Sequence, residues 1–484
     1  MVDWHEGHAF DYNNNNLIPE EMEPIIEEQL RELMTNYGPI AEVWFDMSSP
    51  TQAQSSKFAS IVRELQPQAV INSRIFNNVG DFRTLGDNQV PATTLDGAWQ
   101  TPASIYHSTW GYRSWQVRDD FPGKVRDLVE GLTSVRARGG NYLLNIGPRG
   151  DGSVVEFEAD VLRAIGEWLD RHPDAVLGAS ATLFGGQPWG EVTLNDNNLF
   201  LHVMNWPEDG ELILPGLATD VDRVVEDGAS EELNWRHEGN DLVVTLPETP
   251  MDDVLPVIRV ELTGKLRIIP ERTIAAETDG TWSITPEDMY LGRSYADSGS
   301  YYSQVQTTVR QTAYLSTQRD GRVFLDLQGD ADPESRYRVQ LGTDAFIVTG
   351  EQLNESVVGP FIVPAGEVVP LTITRAEPAH AGEDLNLRFH SASLFTITNS
   401  ADMRTMVDHY EATGELTDDR AARTLRNHLT AVNLYENKHL MEKAVKHMNN
   451  FNLLLDHQKD QALITEKVYH ILKENTDYLL GKWQ

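Results

Sequence analysis

Cysteine is absent from the 484-residue chain. Its absence excludes disulfide bonds, cysteine-ligated zinc and thiol nucleophiles. Basic residues are scarce as well, since 39 Lys and Arg face 74 Asp and Glu and give a formal net charge of −35. A surface of this sign repels phosphate backbones, so we expect no nucleic-acid partner and interpret the charge as favouring solubility.

Long apolar runs are also missing. No run of about 18 apolar residues occurs, so we expect no membrane-spanning segment. The first residues lack a charged stretch followed by an apolar one, so no secretory signal peptide is expected there. Hydrophobic residues nevertheless make up 40% of the chain, which is ample for buried cores. A chain of this length predicts about three or four domains.

Helical and strand patterns alternate through residues 1–178. Apolar residues at helical spacing predict helices in four places: residues 19–36, 58–65, 125–135 and 157–169. Short apolar runs predict three firm strands: residues 40–46, 69–74 and 141–147. Alternating strands and helices indicate parallel β/α units, and polar residues at the strand ends are typical of a (β/α)8 (TIM-type) barrel. Because the full barrel has eight strands, we predict a partial barrel.

The pattern of predicted secondary structure changes twice in the rest of the chain. Short alternating strands separated by Asp, Asn and Gly predict a β-sandwich over residues 179–265 and a second one over residues 266–397, for which carbohydrate binding is an open interpretation. Residues 398–484 contain almost no glycine and predict a bundle of three or four amphipathic helices. The predicted fold class is therefore multidomain, α/β followed by β and then α.

Charged residues follow two of the predicted strands. Asp46 ends the first strand and Arg74 the second, while Asp87 lies in the loop that comes next. An Asp after a strand most often caps a helix or turn. A guanidinium beside it would keep the carboxylate ionised, as a nucleophile requires. A second carboxyl could then serve as acid and base, since retaining glycosidases use two carboxyls about 5–5.5 Å apart.

The predicted loop over residues 95–115 is rich in aromatic residues. It contains Trp99, Tyr106, Trp110, Tyr112 and Trp115. Exposed rings would suit stacking on the apolar face of a sugar. The same rings could instead pack the loop against the barrel, and both interpretations stay open for each residue.

Five ordered motifs resemble the second half of the family 29 α-L-fucosidases, which are retaining glycoside hydrolases. They are YGPIAEVWFDM, LQPQAVINSRI, GDFRTLGDNQVP, WQTPASIYHSTWGYRSW and GGNYLLNIGPRGDGSV. The opening segment VDWHEGHAFDYNN is similar to the Asp-Trp-His loop that precedes that half. The resemblance covers residues 1 to about 265 and implies hydrolysis of terminal α-L-fucose from a glycan or oligosaccharide, with no metal or organic cofactor.

The resemblance also implies roles for individual residues. The nucleophile falls on Asp46, and Arg74 falls on a substrate-contacting arginine. Members differ in where the acid/base lies: one place holds Asp87 and the other holds Gln100. Because an amide cannot donate and retake a proton, the resemblance favours Asp87. Four further positions are implied as substrate contacts: Trp44, Trp99, Gln100 and Trp110.

The chain departs from the family pattern in its first half. A His-His pair and an earlier His and Trp of the family pocket have no counterpart, and His5 and His8 do not match the pair. We therefore expect a fragment, a separate N-terminal half that completes the site, or a homo-oligomer. Exposed apolar edges of an incomplete barrel would favour such association.

The C-terminal segment resembles the FIMAH domain of secreted Gram-positive enzymes. The resemblance is carried by LTAVNLYE, KAVKHMNNFNLLLD and LITEKVYHILK. It implies a secreted or cell-surface bacterial protein but no chemistry of its own. We interpret Met441, His447 and Met448 as core and surface positions of helices, not as metal ligands.

Three functions remain open from the sequence. The leading one is a retaining α-L-fucosidase. The second is an inactive or incomplete fucosidase that acts as a carbohydrate-binding or surface protein, which Gln100 favours. The third is a glycosidase of another specificity, such as galactose, on the same barrel.

Overall fold

The computed structural model describes residues 17–297, 304–416 and 418–483. The chain forms two compact units. The first is built from the described residues of 1–271, 292–309 and 378–384, and the second from those of 272–291, 310–377 and 385–484. The segment VDWHEGHAFDYNN, with His5 and His8, lies outside the described residues.

The described part of the first unit begins with parallel strands and helices. Its helices are α1 (Glu23–Asn36), α2 (Gln52–Leu65), α3 (Phe121–Ala137), α4 (Glu156–Arg171) and α5 (Pro173–Val176). Its strands are β1 (Glu42–Val43), β2 (Val70–Ile71), β3 (Arg83–Thr84), β4 (Trp99–Ser104) and β5 (Asn141–Asn145). Strand β1 pairs with β2, and β4 pairs with both β3 and β5, all in parallel. A parallel bridge between Asn72 and Phe82 links the two groups. Closure into a partial barrel stays a prediction.

Local sequence explains where these helices begin. Thr51 accepts a hydrogen bond from the backbone of Gln54, whose side chain in turn accepts from the backbone N–H of Thr51, so α2 starts with a capping box. Asp120 caps α3 by accepting from the N–H of Gly123. Buried residues of α1 and α2 then face one core with β2, which fixes the helices that flank the strand ends.

Three predictions about this region were wrong in detail. Only Glu42–Val43 of the predicted strand 40–46 is paired, so Asp46 lies beyond the strand. Arg74 lies in a 3-10 turn, Ser73–Ile75, because Phe76 adopts a positive φ of 62° and turns the chain after Asn72. Residues 99–104 form a wholly buried strand instead of part of a loop. Their burial on both faces removes the alternation that would identify a strand.

Antiparallel sheets follow in the first unit. Their strands are β6 (Ser180–Ala181), β7 (Gly190–Asn195), β8 (Asn198–Val203), β9 (Glu211–Leu214), β10 (Val221–Glu226), β11 (Trp235–Glu238), β12 (Asp241–Thr245) and β13 (Val257–Leu262). One sheet has the order β10-β13-β8-β7-β6 and the other β11-β12-β9. A shared core joins both sheets, as the predicted sandwich requires. Helices α3 and α4 pack on Phe200 and Val257 at the other face of the larger sheet.

Two more sheets and four long helices follow among the described residues. The strands are β14 (Thr273–Ala275), β15 (Thr281–Ile284), β16 (Tyr290–Asp297), β17 (Gln304–Ser316), β18 (Gly321–Ala331), β19 (Arg336–Leu341), β20 (Asp344–Thr349), β21 (Val358–Val363), β22 (Val368–Arg375) and β23 (Leu387–Ile397). The helices are α6 (Gly350–Glu355), α7 (Ser400–Ala412), α8 (Asp419–Asn437), α9 (Met441–Asp460) and α10 (Glu466–Trp483). The fold is thus mixed, with several sheets and a helical C-terminal region. None of the described helices has the length and apolarity needed to cross a membrane. The domain boundaries at 178, 265 and 397 stay predictions.

Two neighbouring buried histidines in the first unit respond to pH in opposite ways. Burial lowers the pKa of His202 on β8 to about 3. Burial also opposes the charge of His172, but hydrogen bonds to Asp227 and Asp252 outweigh it and raise the pKa of His172. His172 therefore stabilises the fold fully below about pH 6.5 and loses this contribution as pH rises through its folded pKa. His202 destabilises the fold as pH falls below about 6.5, because only the unfolded chain takes up the proton.

A His202→Gln variant should consequently lose less stability in acid than the original chain. We subtract the unfolding free energy of the original chain from that of the variant. This difference should rise by roughly 3 kcal/mol as the pH falls from 6.5 to 4. Urea unfolding at several pH values measures this shift. His237→Gln, at an exposed position on β11, is the matched control and should follow the original chain. Parallel pH curves for the original chain and His202→Gln would contradict the assignment.

Candidate active site

Asp46 is positioned by the side chain of Asn72. The amide oxygen of Asn72 accepts from the N–H of Phe45 at 2.7 Å, and its amide nitrogen donates to the Phe45 carbonyl at 2.9 Å. Asn72 is fully buried. These two hydrogen bonds connect the segments that follow β1 and β2, where backbone pairing between the strands has ended. They fix the backbone just before the carboxylate, although the strand itself has already ended.

Arg74 bridges two carboxylates. Its guanidinium donates to Oδ1 of Asp46 at 2.9 Å and to Oδ1 of Asp87 at 2.5 Å. It also lies over the ring of Trp44, 4.9 Å from the centroid. Burial opposes the charge of Arg74, but the hydrogen bonds to Asp87 and Asp46 outweigh it and raise the pKa of Arg74. The site therefore keeps a permanent cation between two carboxyl groups.

Asp87 is held through its neighbour Asn88. Asn88 has a positive φ of 56°, a conformation that Asn tolerates better than most residues. Its N–H donates to the carbonyl of Pro102 at 2.8 Å, and its side-chain oxygen accepts from the N–H of Ser104 at 2.8 Å. These contacts attach the loop to β4. The side chain of Asp87 stays about half exposed, at 46%, so water can reach it.

A cavity of about 400 Å³ opens over these groups. Carboxylate, guanidinium and amide groups share its wall with aromatic and aliphatic side chains. The lining comprises Trp44, Asp46, Met47, Arg74, Asp87, Pro102, Trp110, Leu143, Leu144 and Asn145. Mostly apolar walls with a few convergent polar groups are typical of a small-molecule site. A neutral sugar, with one apolar face and several hydroxyls, fits that chemistry.

Gln100 lies beside this cavity but not among its lining residues. Its side-chain oxygen accepts from Nε1 of Trp44 at 2.8 Å, and its amide nitrogen is 3.5 Å from Oε2 of Glu42. Gln100 is buried, with 8% of its surface exposed. In this position it orients the indole of Trp44, which in turn packs on Arg74.

Glu42 lies behind the cavity wall, in contact with Gln100, and was not predicted from the sequence. Its Oε1 atom is buried and has no hydrogen-bond partner among the described residues. Burial raises the pKa of Glu42, and the contact from Gln100 offsets this only in part. A signal was present in the sequence, because residues 42, 44 and 46 alternate along an extended segment and so share one face.

The predicted site residues divide into two groups. Asp46, Asp87, Arg74, Trp44 and Trp110 all line the cavity. Trp99 and Gln100 do not. Trp99 is only 1% exposed and packs in a core with Leu85, Leu95 and Val135, because it belongs to a buried strand and not to a loop. The individual catalytic roles stay predictions.

A distant pair of residues supports the loop between Arg74 and Asp87. Arg83 on β3 is buried beside Asp297, with 3.6 Å between their charged atoms, and it also donates to Asn78 and to the carbonyl of Ala381. Burial lowers the pKa of Arg83, and the charge of Asp297 offsets this in part. All of these residues belong to the first unit. Through Arg83, these contacts attach the loop to Asp297 and Ala381, which lie far away in the sequence.

Two family models match separate parts of the chain. Residues 1–174 match the model of the α-L-fucosidase family. Residues 400–481 match the model of the FIMAH domain. Both resemblances drawn from the sequence motifs are thereby confirmed.

Curated relatives of the fucosidase-like region are moderately similar. Tissue α-L-fucosidase of Rattus norvegicus is 28% identical over 205 residues, covering 38% of this chain and 42% of the rat protein. The Bos taurus enzyme is 28% identical over 243 residues, covering 46% of this chain and 50% of the bovine protein. The chain thus spans about half the length of the curated relatives it matches. Among solved structures, α-L-fucosidase isoenzyme 1 from Paenibacillus thiaminolyticus gives a TM-score of 0.46 at 25% identity, covering 54% of this chain and 65% of that one.

Proposed function

We propose that the chain is a retaining α-L-fucosidase that removes terminal α-L-fucose from a glycan or oligosaccharide. The observation that carries the proposal is the Arg74 bridge between Asp46 and Asp87 at a sugar-sized cavity. Its place within a region that matches the α-L-fucosidase family supports the choice of sugar. Both carboxyls contact one guanidinium, which supports the proposal because a retaining glycosidase needs two carboxyls that are close neighbours.

In the proposed reaction, Asp46 is the nucleophile. Its carboxylate attacks the anomeric carbon and forms an ester, while the bond to the leaving oxygen breaks. Asp87 gives its proton to that oxygen. Water then attacks the same carbon, Asp87 takes the proton, and Asp46 is released. Two inversions return the original anomeric configuration.

The contact with Arg74 constrains how Asp87 can carry a proton. The protonated oxygen of a carboxylic acid is a weaker acceptor than its carbonyl oxygen, so the oxygen that faces the guanidinium is the less favourable place for the proton. We therefore assign the proton to Oδ2 of Asp87, with Oδ1 remaining on Arg74. The partial exposure of this side chain lets water supply the proton between turnovers.

Hydrolysis of an aryl α-L-fucoside by the purified chain tests the proposal. We expect turnover, with α-L-fucose as the first product in proton NMR spectra before mutarotation. An aryl α-galactoside serves as the control for specificity. A β-anomer as first product would contradict the retaining mechanism. Absence of turnover by the folded chain would contradict the proposal that it is a fucosidase.

A carbohydrate-binding protein without turnover is the second candidate. The observation that favours it is the buried amide of Gln100, held by Trp44 at a position where the family can carry its acid/base. An amide cannot exchange a proton with substrate. In this case a fucosylated oligosaccharide would bind to the chain, as calorimetry would detect, and would not be cleaved.

We further propose that the protein acts outside a bacterial cell, at or near its surface, on the basis of the FIMAH match. Fractionation of the source cells tests this location. We also propose that the fucosidase-like region associates with a second copy or a separate half. An apolar cavity of about 410 Å³ beside α1 and β1, lined by Ile26, Leu30 and Leu33 among others, supports that proposal. Light scattering of the purified chain would report a mass above 54.4 kDa if copies associate.

A further inference from the structure

The aromatic residues near the cavity form two groups with different environments. Trp99 is 1% exposed, and the hydroxyl of Tyr106 is buried, so these two rings serve packing. In contrast, Trp110 is 40% exposed, Tyr112 41% and Trp115 71%. The structure thus separates the exposed rings, which we call the aromatic surface (Trp110, Tyr112 and Trp115), from those that pack in the interior. A contiguous group of exposed apolar side chains marks a binding site more often than scattered single ones do.

The aromatic surface is attached directly to the cavity. Trp110 lines the cavity together with Asp46 and Arg74. Tyr112 comes two residues after Trp110, and Trp115 comes five residues after Trp110. Even a fully extended chain therefore keeps the Cα atoms of the three residues within roughly 17 Å. A glycan whose terminal sugar occupies the cavity would therefore extend its next sugars over or near these rings.

Backbone contacts fix this surface against the end of β5. Asn145 donates its side-chain amide to the carbonyl of Trp110 at 2.8 Å. Gly147 lies so close to the loop that a Cβ there would stand 2.8 Å from the backbone of Gly111 and from the nitrogen of Tyr112. Because Asn145 also lines the cavity, the rings and the cavity wall share one rigid support.

Arginine side chains hold the two outer rings in place. The guanidinium of Arg113 lies over the ring of Trp115, 4.8 Å from its centroid, and donates to the carbonyl of Ser108 at 2.5 Å. Arg118 and Arg149 each lie 5.8 Å from the ring centroid of Tyr112. Rings ordered before a ligand arrives lose little conformational entropy on binding. With Arg113 on one face, Trp115 has its other face available to solvent.

We propose that Tyr112 and Trp115 bind the leaving-group sugars of a fucosylated oligosaccharide. The inference rests on the proposed function for the position of the terminal fucose, and it adds the residues that bind the sugars beyond the cleaved bond. The apolar CH face of a pyranose stacks on an aromatic ring. We expect each such contact to stabilise the complex about as much as a contact between two aromatic rings does. An aryl fucoside has no sugar beyond the cleaved bond and would not use this surface fully.

Kinetics on two substrates test the proposal. For Trp115→Ala, we expect KM for a fucosylated pentasaccharide to rise about three- to tenfold, in keeping with the loss of one ring contact. The kcat/KM for an aryl α-L-fucoside should stay the same. Trp115→Phe should restore most of the affinity, because the ring is retained. Val117→Ala is the matched control, since Val117 is a similarly exposed apolar residue of the same loop, at 66%, and has no ring.

A binding measurement separates this inference from the proposed enzyme activity. The fucose-free tetrasaccharide core of the same substrate should bind the original chain and should bind Trp115→Ala more weakly by the same factor, as calorimetry measures. This result would support the aromatic surface even if no substrate were hydrolysed. Equal affinity of the original chain and Trp115→Ala for the core would overturn the inference, and so would an equal loss of activity on both substrates.

Discussion

Asp46→Asn should lower kcat for an aryl α-L-fucoside on the order of 10⁴-fold, because an amide cannot form the ester intermediate. Asn has the shape of Asp and can still accept from Arg74 at the position of Oδ1. The loss should therefore appear in kcat while the fold and substrate affinity are kept. Asp127→Asn is a suitable control, because Asp127 lies on helix α3 in an exposed pair with Lys124 and should leave kcat unchanged.

Exogenous azide adds a sharper readout at the same position. If Asp46 is the nucleophile, azide can replace it in a truncated Asp46→Gly variant and should give a fucosyl azide of inverted configuration. Recovery of activity without that product would assign the nucleophile elsewhere. A loss below tenfold in Asp46→Asn would likewise remove Asp46 from the reaction.

Asp87→Ala distinguishes the second carboxyl from the first. A general acid matters little for a leaving group that is already acidic and contributes about 10²–10⁴-fold for a poor one. A dinitrophenyl fucoside should therefore be cleaved by Asp87→Ala far better than an alkyl fucoside. The same loss on both substrates would make Asp87 a partner of Arg74 and not the acid, and Glu42 would become the next residue to substitute.

The sequence predicted the site better than it predicted the elements that carry it. Asp46, Arg74 and Asp87 could be grouped because short motifs keep their local spacing, and the structure brings them to one cavity. Trp99 was misplaced because residues 99–104 are buried on both faces and contain Pro102, so neither alternation nor composition indicated a strand. The hydrogen bond from Trp44 to Gln100 spans 56 positions, and periodicity carries no information on such contacts.

The loop between Arg74 and Asp87 is also held by contacts between residues far apart in the chain, which the sequence could not predict. Arg83 and Asp297 are more than 200 positions apart, and each alone resembles an ordinary surface charge in the sequence. Only their burial together, at 4% and 3% exposure of the side chains, shows that they form a structural pair. Such contacts depend on how the sheets pack, which local patterns do not determine.

The second unit contains a buried charge pair whose disruption should be costly. Asp326 on β18 is 1% exposed and accepts from the ammonium of Lys467 on α10 at 2.6 Å. Lys467 also reaches Glu415 at 3.0 Å. The surrounding core contains residues of both the sheet and the helices, among them Phe324, Phe395 and Met406. The charge pair therefore lies where the C-terminal helices join the second pair of sheets.

Lys467→Met should destabilise the second unit by about 3–5 kcal/mol, because it leaves the carboxylate of Asp326 buried without its cation. For a unit of this size the loss corresponds to a fall in melting temperature of roughly 10 °C. Calorimetry of the full chain would show the shift in one transition while the transition of the first unit stays in place. Lys473→Met tests the specificity, since Lys473 pairs with the partly exposed Asp456 and such pairs contribute about 0–1 kcal/mol.

A double variant decides whether the pair stabilises the unit or only becomes costly when it is broken. Replacing both partners, as in Asp326→Leu with Lys467→Met, removes the charge together with its cation. Buried pairs replaced by apolar residues of similar size are often neutral or more stable. We expect the double variant to recover most of the melting temperature lost in Lys467→Met, which would place the cost in the unpaired carboxylate. If the double variant melts as low as the single one, the ion pair itself stabilises the junction between β18 and α10.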